Sequence, residues 1–251
     1  MNIIIKNKDD ILKIKQACAI WKIVRKELRS FVKEGVSLNE IDLLAKNIIE
    51  TNNAKCAFYG AYGFPKNICI SVNDCIIHGV PNDYILKDKD IVTFDIGVNY
   101  MDHICDAAFS MVIGENEEAQ KINKVCRDSL DEVSKILKPG VSNLQIGKFI
   151  NDFVESNGYK VIHDFTGHGC GNSLHEDPII PNYVNPYFPK VNLRENMVIC
   201  IEPMIMTDSN EYYIDSENHW NVYSKNHKLT CHWEDMFLIT RDGCEILTSE
   251  D

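Results

Sequence analysis

Two apolar runs in residues 91–113, IVTFDIGVNYMDHICDAAFSMVI, predict a β-hairpin around which the remaining chain must pack. Each run contains one acid, Asp95 in the first and Asp106 in the second. A turn centred between Tyr100 and Met101 would place these acids directly opposite each other, with both carboxylates on one face. Like charges there repel by roughly 0.2–1 kcal/mol when exposed, and by more where water is excluded. The hairpin therefore predicts either a solvated acidic face or a divalent cation held by oxygen ligands.

An internal repeat frames this hairpin. Segments 33–55 and 138–160, KEGVSLNEIDLLAKNIIETNNAK and KPGVSNLQIGKFINDFVESNGYK, align without gaps at an offset of 105 residues, with eight identities. In each segment a Ser is followed three residues later by Glu or Gln, which is the capping-box signature of a helix start. Chance similarity between two capped helices is one explanation. The other, a duplication, predicts an α+β protein of two similar halves joined near residues 113–120, with a site where their sheets meet.

Two further helices are indicated by apolar residues spaced three or four apart. The first begins after Asp9 and Asp10 and should stop at Gly35, and the second should cover residues 117–137. We interpret both as scaffold.

Composition excludes several classes of function. The net charge of -11 and the pI near 5.2 argue against a phosphate-binding surface, so nucleic acid is not expected as a specific partner. The ten cysteines are scattered singly, without CxxC spacing and without a signal peptide before them, which favours a reducing cytoplasm over disulfides or a zinc module. No apolar run approaches the length of a membrane span.

Polar residues interrupt glycine-rich or apolar segments at several other places. They are His78 in NDCIIHGVP, His168 and His175 in GHGCGNSLHEDP, Glu202 in ENMVICIEPMIM, and Glu234 in CHWEDMFLIT. A lone histidine or acid of this kind is more often structural. Four acids in three apolar strand contexts, together with the glycine-flanked His168, favour one shared metal cluster. Such a set can hold two divalent ions about 3.5–4 Å apart, and its oxygen-rich chemistry favours Mn, Fe or Co.

The motifs NDCIIHGVP, FDIGV, DAAFS, GHGCG with LHEDP, IEPM and WED occur in this order over roughly residues 5–248. In this respect the chain resembles the type I methionine aminopeptidases. The resemblance implies the pita-bread fold, an α+β architecture in which a curved antiparallel sheet is covered by helices. It implies one catalytic domain over residues 1–251, with pseudo-symmetric halves of approximately 1–115 and 116–251. The implied activity is hydrolytic removal of the initiator methionine from nascent chains whose second residue is small.

The resemblance also implies the roles of individual residues. The ligands of two divalent ions (Co, Mn, Fe or Zn) would be Asp95, Asp106, His168, Glu202 and Glu234, with Asp106 and Glu234 bridging. Glu202 would also transfer protons, His175 would stabilise the tetrahedral intermediate, and His78 would contact the substrate near the scissile amide. Phe64, Cys69 and Trp220 would line the methionine pocket.

Several positions depart from the family pattern. His232 and Asp235 flank the last glutamate, where Gln and His are usual, and this change bears on metal affinity. Asn172, Ser173 and Leu174 replace a common Arg-Gly-Phe, and Ala61 stands where Tyr is frequent, so the shape of the pocket is left open. The short interval from Glu202 to Glu234 and the lack of a zinc-binding N-terminal extension favour the short bacterial or organellar form.

The expected partners are nascent polypeptide N-termini, with a transient contact to the ribosome, for a cytoplasmic monomer that binds no membrane. Two alternatives stay open. A relative on the same fold would cleave X-Pro peptides, and such enzymes usually carry a long N-terminal domain. A non-catalytic peptide-binding member of the fold would be expected to have lost ligands, and none is lost here.

Overall fold

Four α-helices are present in the computed structural model, which describes residues 2–249. They are α1 (Lys8–Phe31), α2 (Leu38–Thr51), α3 (Glu117–Ser134) and α4 (Asn143–Ser156). Helices α2 and α4 each have 14 residues and start at the same position of the repeated segment, as the repeat predicts.

Side-chain caps explain where these helices begin. Ser37 and Ser142 each accept a hydrogen bond from the backbone N–H three residues on, and the Glu40 or Gln145 side chain accepts one from the cap's own N–H. Asn7 caps α1 in the same way. The expected end of α1 at Gly35 is wrong, because the helix ends at Phe31, four residues earlier.

Fifteen short strands make up the β structure of the described chain. They are β1 (Lys55–Cys56), β2 (Cys69–Val72), β3 (Cys75–Ile77), β4 (Ile91–Tyr100), β5 (His103–Val112), β6 (Tyr159–Val161), β7 (Gly167–Gly169), β8 (Glu176–Ile180), β9 (Val198–Ile201), β10 (Met204–Thr207), β11 (Tyr212–Ile214), β12 (Val222–Ser224), β13 (Thr230–His232), β14 (Asp235–Ile239) and β15 (Cys244–Ile246). Their ladders are antiparallel, and the two largest sheets are β1-β4-β2, with β5 beside β4, and β15-β14-β9-β7-β8. Helices and antiparallel sheets together form the expected α+β class of fold.

The hairpin β4-β5 forms, but its register differs from the expected one. Met101 and Asp102 both have positive φ and form the turn, so Asp95 pairs with Ala108 and Asp106 pairs with Gly97. Direct opposition of the two acids is therefore wrong. The displacement is two residues, which preserves the side-chain alternation, so both carboxylates still lie on one face. They are diagonal neighbours, whose backbones lie roughly 7–8 Å apart rather than the ~4.5–5.5 Å of a direct pair.

The two halves share one interior. Trp21 of α1 packs edge-on against Phe109 of β5 and donates a hydrogen bond to the Ala107 carbonyl over 3.0 Å. The same apolar cluster continues to Phe237 of β14 in the second half. The Glu234 N–H donates to the Ala108 carbonyl over 3.0 Å and joins the hairpin to the second-half sheet. This bridge brings the acidic face of the hairpin next to the carboxylates of the second half.

Between residues 2 and 249, none of the helices is both long and apolar enough to span a membrane. All ten cysteines lie in this part of the chain and are free thiols.

Candidate metal centre

The hairpin contributes two acids whose environment disfavours charge. Asp106 is only 4% exposed, and Asp95 is half-buried. Burial raises the pKa of Asp95 to about 7. Burial, followed by the nearby charges of Glu234 and Asp95, raises the pKa of Asp106 well above its usual value. Without a positive partner, this pair therefore favours the protonated form.

The second half contributes three residues, one inside a strand and two at breaks between strands. His168 is the middle residue of β7, Glu202 lies between β9 and β10, and Glu234 lies between β13 and β14. Strand register explains why the two glutamates meet. Ile201 of β9 pairs with Asp235 of β14 in an antiparallel ladder, so the adjacent residues Glu202 and Glu234 lie side by side. Burial is the main cause that raises the pKa of both glutamates well above the usual value, and the charges of the neighbouring acids raise it further.

All five predicted side chains converge at this junction. The His168 Nδ1 lies 2.9 Å from the Gly169 carbonyl, which fixes the ring and turns Nε2 toward the acids. Nε2 lies 3.5 Å from Glu202 Oε1 and 3.8 Å from Asp106 Oδ2. Burial, with a smaller contribution from His175, lowers the pKa of His168 to about 3, so its neutral ring is suited to metal ligation.

Three buried carboxylate oxygens at this site have no hydrogen-bond partner among the described residues. They are Asp95 Oδ1, Asp106 Oδ1 and Glu234 Oε1. Buried polar atoms are normally paired, because an unpaired one keeps its desolvation penalty. Carboxylate oxygens and an imidazole are the donors that Mn, Fe, Co and Zn accept. The orphaned oxygens and the donor set therefore fit divalent cations.

A sixth potential donor side chain, Cys200, was missed by the sequence analysis. The Cys200 thiol lies with the ligand atoms of Asp106, His168 and Glu234, all within 4.8 Å of one another. The alternation of side chains along a strand could have predicted it, because position 200 precedes Glu202 by two residues and lies on the same face. Burial, followed by the neighbouring Cys170 thiol and the charges of Glu234 and Asp106, raises the pKa of this thiol well above its usual value, so the neutral thiol is favoured.

Two further histidines border the centre. The His175 ring lies edge-on to the His168 ring at a centroid distance of 4.3 Å, and its Nδ1 lies 3.0 Å from the Tyr62 hydroxyl. His78 has a positive φ and lies edge-on to Phe165. Burial lowers the pKa of His78 to about 4, and it also lowers the pKa of His175. Both rings are therefore neutral near pH 7 and can each donate one hydrogen bond.

A pocket lies against the acids and is lined in part by Asp95, Asp106, Glu202 and Glu234. The three residues expected in the methionine pocket are together here, because Phe64 and Trp220 pack edge-on at 5.1 Å and Cys69 pairs with Asp95 across β2-β4. Phe58, Ala61, Tyr62 and Leu174 also line it. Sequence analysis did not assign Phe58 or Tyr62 to the pocket. The local sequence indicated only a flexible loop here, because Gly60 and Gly63 lie on either side of Tyr62.

Comparison with known proteins decides the family. Residues 12–241 match the model of metallopeptidase family M24. The chain belongs to metallopeptidase family M24. Its similarity to individual members extends over the full length, since a methionine aminopeptidase of Mycoplasma capricolum is 41% identical over 251 residues, covering 99% of each chain.

Solved structures of similar proteins confirm the expected pita-bread fold. A methionine aminopeptidase from Thermotoga maritima superimposes with a TM-score of 0.95 at 35% identity, covering 99% of this chain and 100% of that one. A prolidase from Pyrococcus furiosus gives a TM-score of 0.79 at 25% identity, and this chain covers only 66% of it. Membership of this metallopeptidase family implies binding of a divalent metal, which the orphaned carboxylates also indicate.

His232 and Asp235, the two residues near Glu234 that depart from the family pattern, have different surroundings. Asp235 accepts hydrogen bonds from Arg127 over 2.6 Å and from Thr248 over 2.7 Å, so it belongs to a buried ion pair behind the site. His232 points to the site itself, with its Nε2 3.6 Å from Glu202 Oε2. Burial, with a smaller contribution from His78, lowers the pKa of His232 to about 3.

Proposed function

We propose that this protein is a methionyl aminopeptidase that hydrolyses the first peptide bond of nascent chains and removes the initiator methionine. One observation carries the proposal, namely that two buried and two half-buried acids converge with a neutral imidazole at the floor of a pocket lined by aromatic and apolar side chains. The full-length similarity to proteins named methionine aminopeptidase supports it.

The five converging residues would hold two divalent metal ions. Asp95, Asp106, His168, Glu202 and Glu234 would be their ligands. When bound, such ions supply Lewis acidity and make hydroxide available near neutral pH. Co, Mn, Fe and Zn all suit this donor set, and the nearby Cys200 thiol adds a softer donor.

The remaining polar groups would handle protons and charge. Glu202 takes a proton from the attacking water and passes it to the leaving amine, because its carboxylate faces the centre from the edge of the pocket. His175 donates a hydrogen bond to the tetrahedral intermediate, with Tyr62 holding the other side of its ring. His78 contacts the substrate near the scissile amide.

The pocket would recognise the methionine side chain. Phe64 and Trp220 present ring surfaces, and Cys69 adds a polarisable sulfur beside Asp95. A thioether makes favourable contacts with aromatic rings and other soft groups, so this lining favours Met over polar side chains.

The biological setting is part of the proposal. Residues 1–251 act as one catalytic domain with the halves described above, in a cytoplasmic monomer. Its substrates are nascent polypeptide N-termini, met through a transient contact with the ribosome. The net charge of -11 argues against a specific nucleic-acid partner.

The test is release of free methionine from the peptide Met-Ala-Ser by protein loaded with Mn²⁺, Fe²⁺ or Co²⁺, with an Ala-Pro-Ser peptide as the paired substrate. We expect metal-dependent release of Met and at least about 100-fold slower cleavage before proline, a ratio near 2.7 kcal/mol in transition-state binding. Preferred cleavage of the X-Pro peptide would favour the prolidase-like alternative. Metal binding without any hydrolysis would favour a peptide-binding protein.

A further inference from the structure

His232 is a buried imidazole without a hydrogen bond. It is the last residue of β13 and is only 1% exposed, yet neither Nδ1 nor Nε2 has a hydrogen-bond partner among residues 2–249. By contrast, His103, which is also buried, has both nitrogens within 3.0 Å of an acceptor. A buried polar group without a partner destabilises a fold, so its presence calls for a functional reason.

The His232 ring lies near one oxygen of the Glu202 carboxylate, and the His168 ring lies near the other. Glu202 Oε1 lies 3.5 Å from His168 Nε2, whereas Glu202 Oε2 lies 3.6 Å from His232 Nε2. The carboxylate therefore lies between two imidazoles, and its two oxygens have different neighbours. One oxygen faces the cluster of acids, and the other faces His232.

The Glu202 backbone is fixed more firmly than its side chain. Asn182 Nδ2 donates to the Glu202 carbonyl over 2.9 Å. Within residues 2–249, no hydrogen bond holds the Glu202 carboxylate itself. A carboxylate that both ligates a metal and moves a proton needs its orientation held by a neighbouring donor.

We propose that His232 is a positioning residue that donates a hydrogen bond from Nε2 to Glu202 Oε2 and thereby directs Oε1 toward the metal centre. The inference deepens the proposed function and rests on the role of Glu202 there. The 3.6 Å separation exceeds an ordinary N–H···O bond by about 0.4–0.9 Å, and hydrogen bonds of catalytic groups commonly tighten to bonding distance in the working complex.

The same position explains why histidine can stand where glutamine is usual. The glutamine amide and the neutral imidazole each offer an N–H donor at the end of a side chain. Leucine fills a similar volume and offers none. The proposal therefore depends on the donor and predicts opposite outcomes for His232→Gln and His232→Leu.

The experiment compares His232→Leu, His232→Gln and the control His103→Leu with the parent protein. For each protein, calorimetry on the metal-stripped form gives the Mn²⁺ affinity. Steady-state kinetics with Met-Ala-Ser give kcat and KM, and thermal unfolding in EDTA gives the Tm. We expect His232→Leu to weaken Mn²⁺ binding about 10-fold and to lower kcat at least about 10-fold, with KM within about 2-fold and Tm unchanged or higher. His232→Gln should stay within about 3-fold of the parent in both measurements. His103→Leu should lower Tm without changing either.

Parent-like Mn²⁺ affinity and kcat in His232→Leu would overturn the proposal, whether or not its Tm falls. Equal losses in His232→Gln and His232→Leu would overturn it as well, because the donor would then be irrelevant. If His232→Leu does not fold, His232→Met supplies a second side chain without a donor. Because Mn²⁺ affinity is measured without substrate, this comparison still tests His232 if the parent protein releases no methionine and the proposed function fails.

Discussion

Replacing Lys6 by methionine should destabilise the protein by about 3–5 kcal/mol, because the change breaks a buried ion pair. The Lys6 ammonium is fully buried and pairs with Glu176, whose side chain is only 4% exposed. The other Glu176 oxygen accepts hydrogen bonds from the backbone N–H groups of Asn172 and Ser173, at 2.7 and 2.9 Å. Removing the ammonium leaves this carboxylate buried without its cation, in the loop that leads to His175.

In a chain of this size, 1 kcal/mol corresponds to about 2–4 °C in Tm, so we expect a fall of roughly 6–20 °C on thermal unfolding in EDTA. The matched control is Lys124→Met, which breaks the exposed pair with Asp128 and should change stability by less than about 1 kcal/mol. The double variant Lys6→Met with Glu176→Gln should recover most of the loss, because the amide oxygen still accepts the two loop N–H groups. The reasoning is refuted if Lys6→Met lowers the Tm no more than Lys124→Met does.

Three further predictions concern the centre itself. Asp106→Ala should abolish Mn²⁺ binding and methionine release together, and an active, fully metallated variant would be incompatible with a bridging role. His175→Ala should lower kcat about 10²–10³-fold with an unchanged metal content, measured by atomic absorption and steady-state kinetics, and unchanged turnover would remove it from the mechanism. In EDTA, the Tm of the parent protein should fall relative to that of Asp95→Asn as the pH rises from about 4 to 7. Burial raises the pKa of Asp95 to about 7, so the stabilising protonation of this group is complete below about pH 4 and is lost as the pH rises through the folded pKa. Both proteins contain the same buried histidines, whose lowered pKa values act in the opposite direction, so the histidine contribution cancels in the difference. A Tm difference that is constant over this range, or that changes equally with Mn²⁺ present, would contradict the electrostatic account.

Features set by local chemistry were predictable from the sequence. The caps at Ser37 and Ser142 and the equal helices that follow them depend on contacts three residues apart, so the repeat alone located both. Helix ends were harder to locate. The prediction for α1 overshot because Gly35 is a common stop signal, whereas the chain leaves the helix at Phe31.

The hairpin shows why register is difficult to predict. Its turn uses Met101 and Asp102 in left-handed conformations, and only the Asp is a residue that tolerates this region well. The two carboxylates share a face despite the error, because the displacement was even. An odd displacement would have turned Asp95 or Asp106 to the opposite face.

Contacts between residues far apart in the chain could not be predicted from the sequence. Lys6 and Glu176 are 170 residues apart, and neither has a motif that identifies the other as its partner. Tyr62 reaches His175 from a separate loop, and Cys200 joins the acids only because β9 lies beside β7 and β14. Such pairs are set by tertiary packing, which residue spacing does not encode.

The central claim is that five side chains from two halves of the chain hold two metal ions. Anomalous diffraction from crystals of the Mn²⁺-loaded protein tests it most directly. We predict two manganese peaks about 3.5–4 Å apart between Asp95, Asp106, His168, Glu202 and Glu234. A single peak there, or manganese bound elsewhere with these carboxylates free, would contradict the account.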